Sequence, residues 1–470
     1  MNPPSAEQSD LSVRLPVLLF FTGAIGWFVL GNLVYLLSLI KLHAPAMMAG
    51  VPALTYGRLV PAQSAMLLYG FASQAAMGLI LWMICRLGRT LLFGKTTLLL
   101  VGALWNLTVL IGVVAILGGN LTGLDRFDLP RSAASFILLA FFLYGICALI
   151  TFHRRTERDL YPSMWWILAA IFFFVWVFAA GYILLQAEPV SGALQPIIAT
   201  WFSNNIVALW LVPVGAAVVY YFLPKLSGKP LAGYSAAVFS FWAWVLFSSL
   251  TGFQYQAAVP RWLPALSAVA AVLSTVPALG MGLAWHQTYA PTKNSSFAGI
   301  LRMVRFASLI FVIGVVLAAL SGVPQTSRNV PQFAELLAYT LWPQGLAQGT
   351  FYGFFTLAAV AAMIGIVPTL FNSAPSSLST GKAFPTMMIA GTLLLILPLL
   401  LGGIVQGNAL ANSSLPFVEA TRKTLPFVGI SMIGVLILII CGLMMLRDLY
   451  ELTRNSCMEC CGDWVGGGSR

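Results

Sequence analysis

Long apolar runs, separated by short polar segments, recur from one end of the chain to the other. A helix needs about 20 mostly apolar residues to cross the hydrocarbon core of a bilayer. Runs that meet this requirement lie at 16–40, 61–85, 96–118, 134–152, 163–186, 199–223, 232–253, 264–285, 301–323, 345–371, 384–405 and 425–446. The pattern predicts an all-α integral membrane protein with about twelve transmembrane helices over 16–446, an N-terminal tail over 1–15 and a C-terminal tail over 447–470.

Composition strengthens this prediction. Of the 470 residues, 60% are hydrophobic and only 8% are charged, whereas about a quarter of the residues of an ordinary soluble domain are charged. The lipid bilayer is therefore the expected surroundings of most of the chain. The formal net charge is +11, but the basic residues sit in short loops rather than on one solvated face. This distribution argues against a nucleic-acid partner.

The basic residues also predict the orientation in the membrane. If both termini are cytoplasmic, the loops and tails on that side hold 16 of the 24 Lys and Arg residues. Cytoplasmic loops of membrane proteins carry an excess of Lys and Arg. We therefore expect both termini in the cytoplasm, which agrees with an even number of spans.

Recognisable sites for soluble-enzyme chemistry are missing from the sequence. No Walker loop, Rossmann glycine fingerprint or nucleophile elbow stands in the strand-to-helix context that each requires. Three cysteines, Cys457, Cys460 and Cys461, lie close together in the C-terminal tail. They fit a solvated reduced tail, a metal or redox site that is incomplete with three thiols, or attachment to a partner.

A resemblance to a known family begins at Trp201, where the chain reads WFSNNIVALWLVPVGAAVVYYFLPKLSGKPLAGYSAAVFSFWAWVLFSSLTGF. The landmarks are Trp201 itself, the Tyr220–Lys225 exit of the sixth span, the Lys229–Pro230 turn, Phe241–Trp242, Tyr56–Leu59 with Pro61, and Tyr339–Thr340 with Trp342 and Gly345. In these features the chain resembles subunit I of the haem–copper oxidases, most closely the cbb-type cytochrome c oxidase. The resemblance covers most of the chain and implies a twelve-helix oxidase subunit I-like bundle.

The resemblance also implies where cofactor ligands should stand. In the family, two histidines hold a low-spin haem, one holds a high-spin haem and three hold a copper ion, each through a neutral imidazole nitrogen. Carried over, the low-spin haem positions fall on Gln63 and Gln348, the high-spin position on Leu346, and the copper positions on Asn204, Gln254 and Tyr255, with Gln256 as an alternative match. The family's cross-linked tyrosine falls near Val315. Because these residues are not histidines, we predict neither haem nor copper as a cofactor.

The chain holds only three histidines, His43, His153 and His286, and we expect them at membrane edges. The predicted spans also hold essentially no Asp, Glu, Lys or His, the residues that usually carry protons through a bundle. Polar residues within the spans, among them Gln74, Asn106, Asn205 and Gln344, are expected to hydrogen-bond across helices.

We therefore expect a subunit I-like protein without the metal-centre ligands, which acts as a non-catalytic subunit or assembly partner of a respiratory membrane complex, in a bacterial inner membrane. The activity that the resemblance implies, reduction of dioxygen by cytochrome c oxidase, is not expected of this chain alone. Two alternatives stay open. One is an atypical redox enzyme in which Tyr, Met or Cys replaces the histidine ligands, and the other is a channel or carrier for a small neutral molecule.

Overall fold

The structure is a computed structural model that describes residues 4–253, 259–292, 295–322, 336–371 and 383–466. Within these residues the chain is helical and contains no β-strand. The twelve long helices are α1 Ala6–His43, α2 Tyr56–Gly88, α3 Lys95–Gly118, α4 Arg131–His153, α5 Pro162–Ala187, α6 Leu194–Ser227, α7 Tyr234–Ser248, α8 Trp262–Thr288, α9 Ser295–Gly322, α10 Leu341–Leu370, α11 Ala383–Ala411 and α12 Leu425–Gly466. Eleven of these are long and apolar enough to cross a membrane, and α7 is a shorter apolar helix. The predicted all-α membrane fold is confirmed.

At the two ends of the chain, the helices are longer than the apolar runs of the sequence predict. Helix α1 begins at Ala6 because Ser5 and Gln8 form a capping box: the Gln8 N–H donates to Ser5 Oγ at 3.2 Å, and the Ser5 N–H donates to Gln8 Oε1 at 2.9 Å. Helix α12 continues to Gly466. Most of the predicted tails 1–15 and 447–470 is therefore helical in the described structure.

Helix α7 ends at Ser248, five residues before the predicted end of its span at 253. The amide nitrogens of Asn204 and Asn205 on α6 donate to the carbonyl oxygens of Ser248 and Ser249, each at 3.1 Å. Carbonyl groups at a helix end lack intrahelical partners, so side chains from a neighbouring helix can satisfy them. The chain then turns at Gly252, whose φ of 102° is in the left-handed region that favours glycine.

Three helices form the centre of the bundle. The most apolar stretch of α2 is 100% buried, that of α6 is 94% buried and that of α10 is 83% buried, whereas the corresponding values for the other spans are between 33% and 56%. The outer helices therefore shield α2, α6 and α10 from lipid. These three central helices carry every described position at which the resemblance implies a haem or copper ligand.

Amide side chains link the helices away from the centre as well. Asn106 on α3 accepts hydrogen bonds from Trp27 Nε1 at 2.9 Å and from Gln74 Nε2 at 3.1 Å, and it donates to Gln74 Oε1 at 2.9 Å. The cluster joins α1, α2 and α3. The expectation that amides within the spans hydrogen-bond across helices is confirmed here.

Charged groups enter the bundle near the ends of the helices. Asp10 on α1 is buried and pairs with Arg86 at 2.8 Å, and it also accepts a hydrogen bond from Trp82 Nε1 at 3.0 Å. Lys41, near the other end of α1, is buried and donates to the carbonyl oxygen of Met47. Because the helices extend beyond the apolar runs, these residues are part of α1 while remaining near the membrane edges.

Candidate functional site

A π-helical segment follows the candidate positions on each central helix. The segments are Met66–Ala72 after Gln63 on α2, Val207–Leu211 after Asn204 on α6, and Gly349–Thr356 after Gln348 on α10. A π-helical turn inserts extra backbone into an α-helix and is frequent at functional sites. It changes which side chains the helix presents to the centre of the bundle.

The first of two internal cavities, here called the glutamine cavity, lies between α1, α2 and α10 and has a volume of about 390 Å³. Its polar lining includes Tyr35, Gln63, Gln344 and Gln348. The two positions that the resemblance assigns to low-spin haem ligands, Gln63 and Gln348, therefore lie around one space.

Hydrogen bonds occupy part of this lining. Gln348 Nε2 donates to the Tyr35 hydroxyl at 3.3 Å, and Gln344 lines the same cavity. Gln63 is only 8% exposed, and within the described part of the chain its side chain makes no hydrogen bond. The cavity thus combines the Gln348 amide, which is held by a hydrogen bond, with the Gln63 amide, which is free to contact a molecule in the cavity.

The second cavity, here called the asparagine cavity, has a volume of about 260 Å³. Asn204, Leu346 and Val315 line it, so one of the three predicted copper positions, the predicted high-spin haem position and the tyrosine position meet in one place. The Asn204 amide is engaged at both ends: Nδ2 donates to Ser248 O at 3.1 Å, and Oδ1 accepts from Thr251 Oγ1 at 3.2 Å.

The remaining predicted positions cannot be placed. Gln254, Tyr255 and the alternative Gln256 lie outside the described residues. The backbone of Cys457, Cys460 and Cys461 belongs to α12, but their side chains are also outside the described part of the structure. Four of the six predicted ligand positions therefore line the two cavities, two positions in each. The other two positions and the cysteine side chains lie outside the described structure.

Arg126 is the residue of this site that the sequence pattern did not reveal. It lies in the loop between α3 and α4 and lines both cavities, together with Val207, Pro343 and Ala347. Its Nη1 donates to Ser203 O at 2.6 Å, and its own carbonyl oxygen accepts from the Tyr69 hydroxyl at 2.6 Å. The sequence signal at this position is the charged stretch from Asp125 to Asp128, in a loop whose basic residue contributes only to the prediction of membrane orientation.

The same loop holds two carboxylates with different surroundings. Asp125 lies 3.8 Å from the Arg126 guanidinium and accepts a hydrogen bond from the Ser203 hydroxyl. Asp128 is buried. Burial and, secondarily, repulsion by Asp125 raise the pKa of Asp128 to about 7, although an N–H donated by Gly123 opposes the shift.

The three histidines lie outside these cavities, at the ends of helices. The His43 ring hydrogen-bonds the carbonyl oxygen of Leu425 at 2.9 Å, His153 is the last residue of α4, and His286 is in the last turn of α8. All three are exposed. Each of these positions is near a membrane edge rather than between the central helices.

Comparison with known proteins identifies the family. The model of the family described as "Cytochrome C and Quinol oxidase polypeptide I" matches residues 15–437. The chain belongs to this oxidase polypeptide I family. It is 21% identical over 421 residues to the cbb3-type cytochrome c oxidase subunit CcoN1 of Stutzerimonas stutzeri, covering 84% of this chain and 85% of that protein.

Other relatives of the oxidase polypeptide I family agree. The chain is 22% identical over 452 residues to a bacteroid cytochrome c oxidase subunit 1 homolog of Bradyrhizobium diazoefficiens, covering 92% of this chain and 80% of that protein. A solved heme-copper terminal oxidase dimer superposes with a TM-score of 0.72 at 13% identity, covering 94% of this chain and 84% of the solved one. The recognition of this family from the sequence is confirmed, and so is its fold.

Membership implies haem and copper, but the side chains at the described positions do not fit them. Haem iron in proteins is held by His, Cys, Met or Tyr, and copper by imidazole and thiolate or thioether sulfur. Gln63, Gln348 and Asn204 offer amides, and Leu346 has no donor atom. Within the described residues, no group of three His, Cys, Asp or Glu side chains is arranged to hold a metal ion.

Proposed function

We propose that the chain is a non-catalytic member of the oxidase polypeptide I family, which carries no haem or copper and serves as a subunit or assembly partner of a respiratory membrane complex. The observation that carries this proposal is the donor chemistry of Gln63, Asn204, Leu346 and Gln348. They stand on the three central helices, around two cavities, and the resemblance assigns to them the positions of the family's imidazole ligands.

The hydrogen bonds of these amides support the proposal. Asn204 closes the end of α7, and Gln348 ties α10 to Tyr35 on α1. Each amide thereby contributes to helix association, with about 0.6 kcal/mol expected for an average interhelical hydrogen bond. At two positions to which the resemblance assigns metal ligands, this chain carries amides that form hydrogen bonds between helices.

The alternative of a redox enzyme with substituted ligands has little chemical support. Tyr35 and Tyr56 are the described residues of the glutamine cavity whose type can bind haem iron. The Tyr35 hydroxyl accepts a hydrogen bond from Gln348, and Tyr56 is 44% exposed in the first turn of α2. No Met or Cys is among the described residues that line either cavity. Asp125 and Arg126 are the charged groups of this described lining, and they are paired with each other in a loop.

A role in a complex follows from the retained shape of the bundle. Helices associate in lipid through close packing rather than through a hydrophobic drive, so the outer surface can dock neighbouring subunits whether or not cofactors occupy the centre. The relatives from Stutzerimonas and Bradyrhizobium are named as oxidase subunits. We infer the same kind of assembly for this chain, in a bacterial inner membrane with both termini cytoplasmic.

Purification of the chain from its native membrane in a mild detergent tests this proposal. Mass spectrometry of the intact complex should show the chain bound to other membrane subunits, including one that carries redox centres. Known respiratory complexes recovered from the same preparation provide the control for preserved assemblies. Repeated recovery of a solitary monomer or a simple homodimer beside intact respiratory complexes would contradict the scaffold role.

A channel or carrier for a small neutral molecule is the second candidate, and one observation favours it. The glutamine and asparagine cavities share Arg126, Val207, Pro343 and Ala347 as lining residues, so they adjoin inside the bundle. Uptake of radiolabelled glycerol or urea into proteoliposomes distinguishes the two functions. The scaffold proposal expects the rate of protein-free liposomes, and a rate well above it would favour the channel.

A further inference from the structure

A groove on the flank of the bundle, separate from both internal cavities, has the chemistry of a lipid site. It runs along α8 and α9 beside the end of α6 and has a volume of about 210 Å³. We call it the α8–α9 groove. Its lining residues are Leu223, Leu279, Gly282, Leu283, Trp285, His286, Tyr289, Arg305, Ser308, Leu309 and Val312.

The floor and walls of the groove are apolar and open to the side. Leu279, Leu283 and Leu309 are 46%, 61% and 44% exposed, so their side chains form rims that lipid can reach. At Gly282 the helices approach closely, because a Cβ there would lie 2.7 Å from Val312 Cγ2. This close approach brings α8 and α9 together beside the groove.

One end of the groove is basic and aromatic. Arg305 lies with its guanidinium carbon 4.0 Å from the centroid of the Tyr289 ring, which fixes the charge at the mouth of the furrow. His286 stands beside it, and no carboxylate is among the described residues that line the groove. The indole nitrogen of the buried Trp285 in its wall has no hydrogen-bond partner within the described part of the chain.

The charge of Arg305 has no carboxylate partner among the described residues, as is also true of Arg302, whereas some other arginines are paired. Arg86 pairs with Asp10, Arg89 with Glu157 and Arg447 with Glu451. Among the described residues, Arg305 makes no ion pair. A fixed cation above an apolar furrow complements a molecule with an anionic head and a hydrocarbon tail.

We propose that the α8–α9 groove binds one anionic phospholipid, with an acyl chain between α8 and α9 and the phosphate at Arg305. Basic pockets between transmembrane helices are suited to such head groups, and the attraction amounts to about fivefold in affinity for each basic residue near the surface. The site goes beyond the proposed subunit role and does not depend on it, because the groove shares no lining residue with either cavity.

The test uses the full chain, purified in detergent, stripped of lipid and titrated with phosphatidylglycerol or with phosphatidylcholine of the same acyl chains. Native mass spectrometry counts the bound lipids and gives their apparent Kd. Phosphatidylglycerol should bind at one tight site, and Arg305→Gln should weaken that binding about fivefold. The matched control is Arg302→Gln, which removes an equal charge one turn away from an exposed position outside the groove lining, and should leave this site unchanged.

A second pair of variants tests the furrow without altering charge. Leu309→Trp should fill the groove and remove the tight phosphatidylglycerol site, whereas Leu320→Trp, at an exposed position on the same helix, should not. Equal binding of both lipids, equal effects of the two arginine variants, or full binding by Leu309→Trp would overturn the proposal. A co-purified polypeptide displaced by Leu309→Trp, with phosphatidylglycerol binding unaffected, would also overturn it.

Discussion

Gln348 on α10 donates a hydrogen bond from its amide nitrogen to the hydroxyl of Tyr35 on α1 at 3.3 Å. The position to which the resemblance assigns a haem ligand therefore forms a hydrogen bond between two helices. Gln63, on the other side of the glutamine cavity, makes no such contact within the described structure. The pair allows the correspondence between these two positions and the family's ligands to be tested directly.

Restoring imidazole at both positions should restore haem binding. The double variant Gln63→His and Gln348→His places two neutral nitrogen donors around the glutamine cavity, and we expect it to take up about one low-spin haem per chain when expressed with haem available. The measurement is the absorption spectrum of the purified, reduced protein. As a matched control, Gln74→His and Asn106→His adds two imidazoles outside both cavities and should bind none. A folded double variant at 63 and 348 without haem would show that the positions do not correspond.

The amide cluster around Asn106 should contribute measurably to stability. Asn106→Ala leaves Trp27 Nε1 and Gln74 Oε1 without their partners, while Gln74 Nε2 keeps its bond to Gly70 O, and we expect a loss of about 2 kcal/mol. Reversible unfolding in mixed micelles measures the free-energy change. Leu107→Ala, at a position on the same helix that is 54% exposed, is the control and should change stability by about 0.5 kcal/mol or less. Equal losses would assign the effect to helix α3 in general rather than to the cluster.

Asp128 should make the protein less stable as pH rises. Its pKa is about 7 in the folded chain against an ordinary 3.8, so between these values the folded state holds a proton that the unfolded state has lost. Stability therefore falls with rising pH across this window and is level above it. Asp128→Asn should remove this part of the pH dependence, so that the apparent Tm of the variant exceeds that of the wild type at about pH 8 but not at about pH 4.

The thermal measurement has a suitable internal probe and a suitable control. Cys85, Cys147 and Cys441 are buried thiols, so in a chain with Cys457, Cys460 and Cys461 changed to Ser a thiol-reactive dye reports their exposure on unfolding. Asp159→Asn changes an exposed carboxylate in another loop and should leave the pH profile unaltered. A wild-type profile that rises between about pH 4 and about pH 7, relative to that of Asp128→Asn, would contradict the assigned surroundings of Asp128.

Both termini should face the cytoplasm, according to the excess of basic residues in the loops on that side. Membrane-impermeant maleimide should fail to label Cys457, Cys460 and Cys461 in intact spheroplasts and should label them after lysis. The other three cysteines are buried and so do not compete for the reagent. A chain with those three changed to serine gives the control, and labelling before lysis would reverse the orientation.

Much of the architecture was predictable because lipid imposes a simple rule on sequence. An apolar run of sufficient length must form a helix, so all twelve long helices could be located, and the landmarks around Trp201 indicated the family. The end of α7 could not be predicted from its own residues. It depends on Asn204 and Asn205 of the neighbouring helix, a tertiary contact that no periodicity within 232–253 reveals.

The residues of the site that lie on the central helices could be predicted from the sequence, whereas the residue that a loop contributes could not. Gln63, Asn204, Leu346 and Gln348, the described positions selected by the resemblance, line the two cavities because they lie on the central helices. Arg126 reaches both cavities because its backbone adopts a φ of 60° and because Ser203 and Tyr69 anchor it. Such a left-handed conformation is uncommon for a residue other than glycine, so it could not be predicted from the sequence.

Metal and haem content of the purified wild-type chain tests the central claim most directly. The chain, separated from any partners under conditions that keep it folded, is analysed by a reduced-minus-oxidised spectrum, by pyridine haemochrome assay and by elemental analysis for iron and copper. Because amides and an aliphatic side chain stand at the described ligand positions, we predict no cytochrome bands and metal far below one atom per chain. About one haem or one copper per chain, retained through purification, would contradict the account and favour a redox enzyme with unusual ligands.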